Sequence, residues 1–189
     1  EQIFTRICLD MLSYAAETEN VSVAYDERDL KKKGQHKING YAISDNYETV
    51  DLFITLYANT TEIRTIPKSE VDTASKMITN FFRRAVYNDY VNEIAESSEI
   101  FEFANTLANY AELRENLIRV NAFILTNGTY KGELPASQVI CGYNIYYKVI
   151  DVEYLYKISE QAGVPIELDF ENLDGHKYEI PCLAANLSN

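Results

Sequence analysis

Three acidic side chains and a run of lysines are the groups in this chain best suited to phosphate chemistry. Asp45 and Asp51 lie six residues apart across a polar turn, and Glu17 closes the first amphipathic stretch. Lys31, Lys32, Lys33 and Lys37 crowd together with His36 just ahead of that turn. A metal-dependent phosphodiesterase needs clustered carboxylates to hold Mg²⁺ or Mn²⁺ and a lysine or ordered water near the scissile phosphate. The basic run reads either as a solvated loop or as an edge that steers phosphate. On this reading Lys31, Lys32, Lys33 and Lys37 are the candidate nucleic-acid contacts.

Such groups must be carried by two strands. Residues 38–44 and 49–58 alternate as strands around the turn Asp45-Asn46-Tyr47. Val50, Leu52, Ile54 and Leu56 share one face of the second strand. Phe53 and Tyr57 make the other face largely apolar, which predicts a central strand covered on both sides. Hairpins of the restriction-endonuclease-like type carry an acid on the first strand and an acid-x-lysine pair on the second. The pair is two residues apart because strand side chains repeat with period two. In that register the first acid falls at Asn39, beside Gly40, and the acid-x-lysine pair at Thr55 and Tyr57. Asn39 offers one neutral oxygen, Thr55 is a weak ligand, and Tyr57 lacks a lysine's fixed charge. These three positions are degenerate. Asp51 shares a strand face with Thr55 and Tyr57 and is the first displaced candidate, with Asp45 and Glu17 behind it; the plainer reading makes Asp51 and Asp45 surface residues. No metal site is expected, and Mg²⁺ or Mn²⁺ enters only if those displaced acids act together.

Other chemistries are weaker. No GxGxxG, P-loop, GxSxG or HExxH is present. Cys8, Cys141 and Cys182 are odd in number and widely spaced, and His36 and His176 are far from them in sequence, except that Cys182 follows His176 in an apolar segment. That spacing argues against structural zinc and for a reducing cytoplasm. Lys plus Arg at 17 against Asp plus Glu at 29 gives a net charge of −12. An acidic chain is a poor general ligand for phosphate backbones, so nucleic acid stays an open partner. The 15 tyrosines fit sheet packing better than base stacking.

The elements around the hairpin follow from periodicity. Residues 3–17 place Ile3, Phe4, Ile7, Cys8, Met11 and Leu12 at helical spacing, and residues 21–25 read as a short strand. Pro67 and Lys68, with Ser69 as an alternative cap, open a long helical tract along Val71, Ala74, Ile78, Phe81, Phe82, Ala85 and Val86. A break near Ser97-Ser98 precedes a second stripe from Ile100 to Ala108. The acids of this region (Asp89, Glu93, Glu96, Glu99, Glu102, Glu112 and Glu115) read as a solvated face. Residues 117–126 return to strand and turn at Asn127-Gly128; residues 138–150 read as one strand-rich tract. Asp151 caps a helix over 152–162, and strands are expected at 166–170 and 178–183. The expected fold is α/β: a mixed central β-sheet flanked by helices, with a restriction-endonuclease-like core and a long helical middle. Residues 1–189 form one domain of ordinary globular composition, 47% hydrophobic and 24% charged. No apolar run approaches the roughly 20 residues that span a bilayer. The absence of an initiating methionine and of a closing element makes an excised N-terminal domain of a longer protein the expectation.

Four segments, in this order, resemble the N-terminal part of the abortive infection phage resistance (AIPR) family of bacterial defence proteins. They are IFTRICLDML at 3–12, the hairpin INGYAISD at 38–45 with VDLFITLY at 50–57, AFILTNG at 122–128, and VIDVEYLYKI at 149–158 followed by IPCL at 180–183. The resemblance implies a cytoplasmic defence protein distantly related to restriction-endonuclease-like nucleases. Its implied partner is the C-terminal region of its own longer chain, and a homo-oligomer is a further expectation. The departures at Asn39, Thr55 and Tyr57 set it apart from relatives that keep the acidic signature. A sensing or protein-contact role follows, with a metal-dependent nuclease that uses Asp51 with Asp45 or Glu17, and Lys37 for phosphate, as the alternative.

Overall fold

The computed structural model describes residues 1–161 apart from 29–33, 61 and 88–89. Lys31, Lys32, Lys33, Asp89, His176, Cys182 and the strands expected at 166–170 and 178–183 therefore lie outside the described residues.

A six-stranded mixed sheet organises the chain. In chain order the elements are α1 (Gln2–Tyr14), β1 (Ser22–Arg28), β2 (His36–Ile43), β3 (Thr49–Leu56), α2 (Lys68–Val86), α3 (Phe101–Asn109), α4 (Ala111–Asn116), β4 (Arg119–Thr126), β5 (Gln138–Ile140), β6 (Tyr143–Ile150) and α5 (Val152–Gln161). The strands lie in the order β1-β2-β3-β4-β6-β5. The first three are antiparallel neighbours, β3, β4 and β6 run parallel, and β5 returns antiparallel on β6. β3 is central, as the apolar character of both its faces requires.

Each face of the sheet has its own core. On one side α2 lays down Val71, Ala74, Ile78, Phe81, Phe82 and Ala85 against Val50, Leu52 and Ile54 of β3. Burying each of these large side chains contributes roughly 1.5–3 kcal/mol. Pro67 sits at the N-cap of α2, with Glu70 in the first turn and Arg83 and Arg84 in the last, charges that complement the helix dipole. On the other side α1 and α5 cover Phe53, Phe123, Leu125 and Ile150 with Cys8, Leu9, Leu12, Leu155 and Ile158. Gly40 is required there: a Cβ would meet Leu9 Cδ1 and the Ser22 carbonyl, each at 2.9 Å. Asp151 caps α5, accepting the Tyr154 N–H at 2.9 Å and the Tyr130 N–H at 3.0 Å.

Two boundaries differ from the sequence pattern. Residues 138–150 are two strands, not one tract, folded at Cys141 (φ 54°) and Gly142 (φ 89°) as a two-residue hairpin. The helix expected to reach residue 17 stops at Tyr14. There the Ala16 N–H returns to Ser13 O at 3.1 Å and the Glu17 N–H to Leu12 O at 2.9 Å, with Ala16 left-handed at φ 54°. This is a Schellman cap with alanine where glycine is usual. Among the described residues no helix is long and apolar enough to cross a membrane.

Candidate functional site

β3 presents Asp51, Phe53 and Thr55 to the α1 side of the sheet, and the candidate groups gather at its two ends. At the Thr55 end the paired ladder with β2 stops at Gly40 opposite Phe53. Side chains of β2 then complete the backbone. Asn39 Oδ1 accepts the Thr55 N–H at 2.8 Å, and Lys37 Nζ donates to the Thr55 carbonyl at 3.2 Å. Alternation slips here, because Asn39 and Gly40 both face α1 while Ile38 and Tyr41 face α2. The Asn39 amide also donates to Glu1 Oε1 at 2.7 Å, and the same oxygen pairs with Lys37 Nζ at 2.6 Å. Thr55 and Thr5 hydroxyls bond each other at 2.8 Å. Tyr57 lies past the end of β3, 41% exposed, with its ring 5.5 Å from that of Phe4. Asn39 and Thr55 are thus brought together, joined by Lys37 and by Glu1, which the sequence reading did not single out; Tyr57 stands outside them.

A divalent cation of the Mg²⁺ or Mn²⁺ class takes a shell of anionic and neutral oxygens. Here the Asn39 oxygen is spent on a backbone donor, the Thr55 hydroxyl on Thr5, and the Glu1 carboxylate is neutralised by Lys37. This donor set does not fit such an ion.

The other end of β3 is acidic and more open. Asp51 is buried, not the surface residue expected of a strand end. Its two oxygens accept from Thr18 Oγ1 at 2.6 Å and Asn121 Nδ2 at 2.7 Å. Burial pushes its carboxyl above the ordinary aspartate value, outweighing those two hydrogen bonds. The Schellman turn after α1 carries Glu17 back over the sheet, where it accepts from Lys148 Nζ at 2.7 Å and from the Tyr154 hydroxyl. Those two bonds hold Glu17 below the ordinary glutamate value. For Lys148, burial would lower the ammonium, but Glu17 and Tyr154 outweigh it and the pKa is raised. Asp45 is exposed in the turn as expected and accepts from Asn20 Nδ2 at 2.7 Å. A cleft of about 430 Å³ lies among Glu17, Thr18, Glu19, Asn20, Asp51 and Asn121. Of the displaced acids, Asp51 and Glu17 border this cleft, and Asp45 reaches it only through its bond to Asn20. Among the described residues no group of three or more His, Cys, Asp or Glu could hold a metal ion. Lys37 is at the opposite end of β3, four strand residues or about 13 Å away, so Lys37 and Asp51 cannot serve one scissile phosphate.

His36 corrects the expected basic edge. It is fully buried on the α2 side, with Nε2 2.7 Å from Asp26 and Nδ1 3.1 Å from Arg84 Nη1. A guanidinium only donates, so Nδ1 accepts and the ring proton on Nε2 goes to Asp26. Tyr90 also donates to Asp26, and Glu93 ties Arg84 to Arg28. Burial would raise Asp26, but His36 and Tyr90 outweigh it and hold its pKa low. This network binds β1 and β2 to α2 and leaves His36 no access to a ligand. The remaining described acids of the middle region are solvent-facing, as expected.

The family model described as the abortive infection phage resistance protein N-terminal domain matches residues 4–157. The chain belongs to that family. No curated protein and no solved structure matches it. The match runs from the first turn of α1 to the middle of α5, so it takes in both ends of β3. In this AIPR N-terminal domain Asn39 and Lys37 close a gap in the pairing of β2 with β3.

Proposed function

We propose that this domain is a nuclease-derived frame whose catalytic positions have been turned to structural use, and that it serves phage resistance through sensing or protein contact. One observation supports the reading above others: the Asn39 oxygen, at the position of the first acid, is the hydrogen-bond acceptor for the Thr55 backbone, at the position of the second. The kinship with restriction-endonuclease-like folds is part of the proposal. It is supported by the order of elements, a helix and an antiparallel trio followed by helices and parallel strands. The proposal places the domain in the bacterial cytoplasm, acting with the C-terminal region of its own longer chain.

The test is Mn²⁺-dependent cleavage of single-stranded DNA, duplex DNA and RNA by the full-length protein, beside its Asp51→Asn and Asp51→Ala variants. The expected outcome is that neither substitution changes whatever cleavage is found. Cleavage abolished by Asp51→Asn, which keeps the shape of the side chain, would favour instead a nuclease built on Asp51, Asp45 and Glu17. That alternative draws its support from the cleft that Asp51 and Glu17 share. A complementary measurement is Mn²⁺ titration calorimetry on the Asn39→Asp/Thr55→Glu/Tyr57→Lys variant. Binding gained there and absent from the parent would support a lapsed metal site.

A further inference from the structure

Helix α1 is apolar on two opposite sides. At about 100° per residue, Thr5, Cys8, Leu9 and Leu12 form the buried side. Ile3, Ile7 and Tyr14 fall on a narrow stripe roughly opposite, and they are 79%, 51% and 74% exposed. Single exposed apolar residues need no explanation, but an aligned second stripe on an already packed helix marks a surface that is covered in use. The stripe runs between two hollows. One of about 410 Å³ lies toward β1, beside Ile3, Ile7, Val23 and Tyr25; one of about 380 Å³ lies toward α5, beside Met11, Tyr14 and Ile158.

The charges along the stripe identify the cover. Arg6 and Asp10 flank it on one side, one turn apart, and neither makes an ion pair among the described residues. A two-fold axis perpendicular to the helix lays the same flank of each copy against the other in reversed order. With the axis passing near residue 8, Arg6 of each copy faces Asp10 of its partner, and both pairs form at once. The same axis sets Tyr14 of one copy beside Ile3 of the other. One register therefore satisfies the apolar stripe and the charged flank together. We propose that α1 is a self-complementary interface that pairs antiparallel with α1 of a second copy of this chain. This inference stands apart from the reading of the β3 positions, since the stripe lies on the side of α1 opposite the one packed on the sheet.

The test is sedimentation velocity on the full-length protein across a concentration series, with circular dichroism as the check on folding. The parent should self-associate to a dimer. Ile7→Glu, at an exposed position, should weaken the dimer about tenfold or more while leaving the helix signal intact. Arg6→Asp alone and Asp10→Arg alone should each weaken it, by setting like charges face to face, and the double exchange Arg6→Asp/Asp10→Arg should restore it. A parent that stays monomeric throughout would overturn the proposal and give the stripe to another segment or protein. So would a dimer that tolerates Ile7→Glu, or single charge reversals that the double exchange does not rescue.

Discussion

The two ends of β3 use polar side chains in opposite ways. At Thr55, Asn39 and Lys37 take over the hydrogen bonds that a neighbouring strand would have supplied, and the one carboxylate present is cancelled by a lysine. Four residues earlier on the same face, Asp51 is buried on two neutral donors beside a cleft that it shares with Glu17, whose own charge is met by Lys148. At one end polar side chains are absorbed into the hydrogen bonding of the backbone. The other shows that acids can gather without forming a metal shell.

The sharpest way to break this contrast is to remove Asn39. Asn39→Ala strands the buried Thr55 N–H and deprives Glu1 of a donor, and leaving such a group unpaired costs about 2–3 kcal/mol. Thr55→Val, in contrast, removes a hydroxyl whose partner Thr5 keeps a bond to the Glu1 carbonyl at 3.2 Å, so its cost should be about 1 kcal/mol or less. Urea unfolding of both variants checks the order. Equal losses would mean that the Thr55 hydroxyl matters as much as the amide oxygen, and that the end is not organised around the backbone.

The acidic end can be dissected by pH, because its two carboxylates are shifted in opposite directions. Asp51 is raised from 3.8, so its ionised form is disfavoured in the fold. That penalty is absent below the unfolded value and grows as pH rises through the folded one. Glu17 is lowered from 4.5 by Lys148 and Tyr154, so its contribution is present above the unfolded value and fades as pH falls through the folded one. Stability of the parent relative to Asp51→Asn should therefore fall as pH rises from about 3 to 6, while stability relative to Glu17→Gln should rise. The Glu17 effect is the smaller and the more salt-sensitive, since its pair is partly exposed. Two curves of the same sign would show that Asp51 and Glu17 share one environment after all.

Much of the framework was legible because it rests on local periodicity. The α2 stripe from Val71 to Val86 is buried residue for residue, Asp151 caps α5, and Asn127-Gly128 follows β4. The hairpin register was close enough to pair Asn39 with Thr55. What escaped was set by groups far apart in sequence or by conformations with no residue signature. Glu1 meets Lys37 only because α1 crosses the end of β2. His36 looked like part of a basic run, yet Asp26, Arg84 and Tyr90 enclose it from three separate elements. Cys141 and Ala16 adopt left-handed backbones that favour glycine, so neither the β5–β6 hairpin nor the end of α1 announced itself.

Ala16 offers the smallest and most local test of how the acidic end is assembled. Its positive φ places Cβ against the neighbouring carbonyl, a strain of about 1–2 kcal/mol for an L-residue. Glycine removes that strain but adds freedom to the unfolded chain, which returns part of the gain. Ala16→Gly should therefore stabilise the domain by up to about 1 kcal/mol, read as a higher urea midpoint with an unchanged slope. The Schellman turn directs Glu17 to Lys148 and Thr18 to Asp51, so a relaxed turn should keep both contacts and leave the opposed pH curves intact. A midpoint that falls would mean the alanine methyl is itself packed, and that the turn is held by contact and not merely tolerated by the cap.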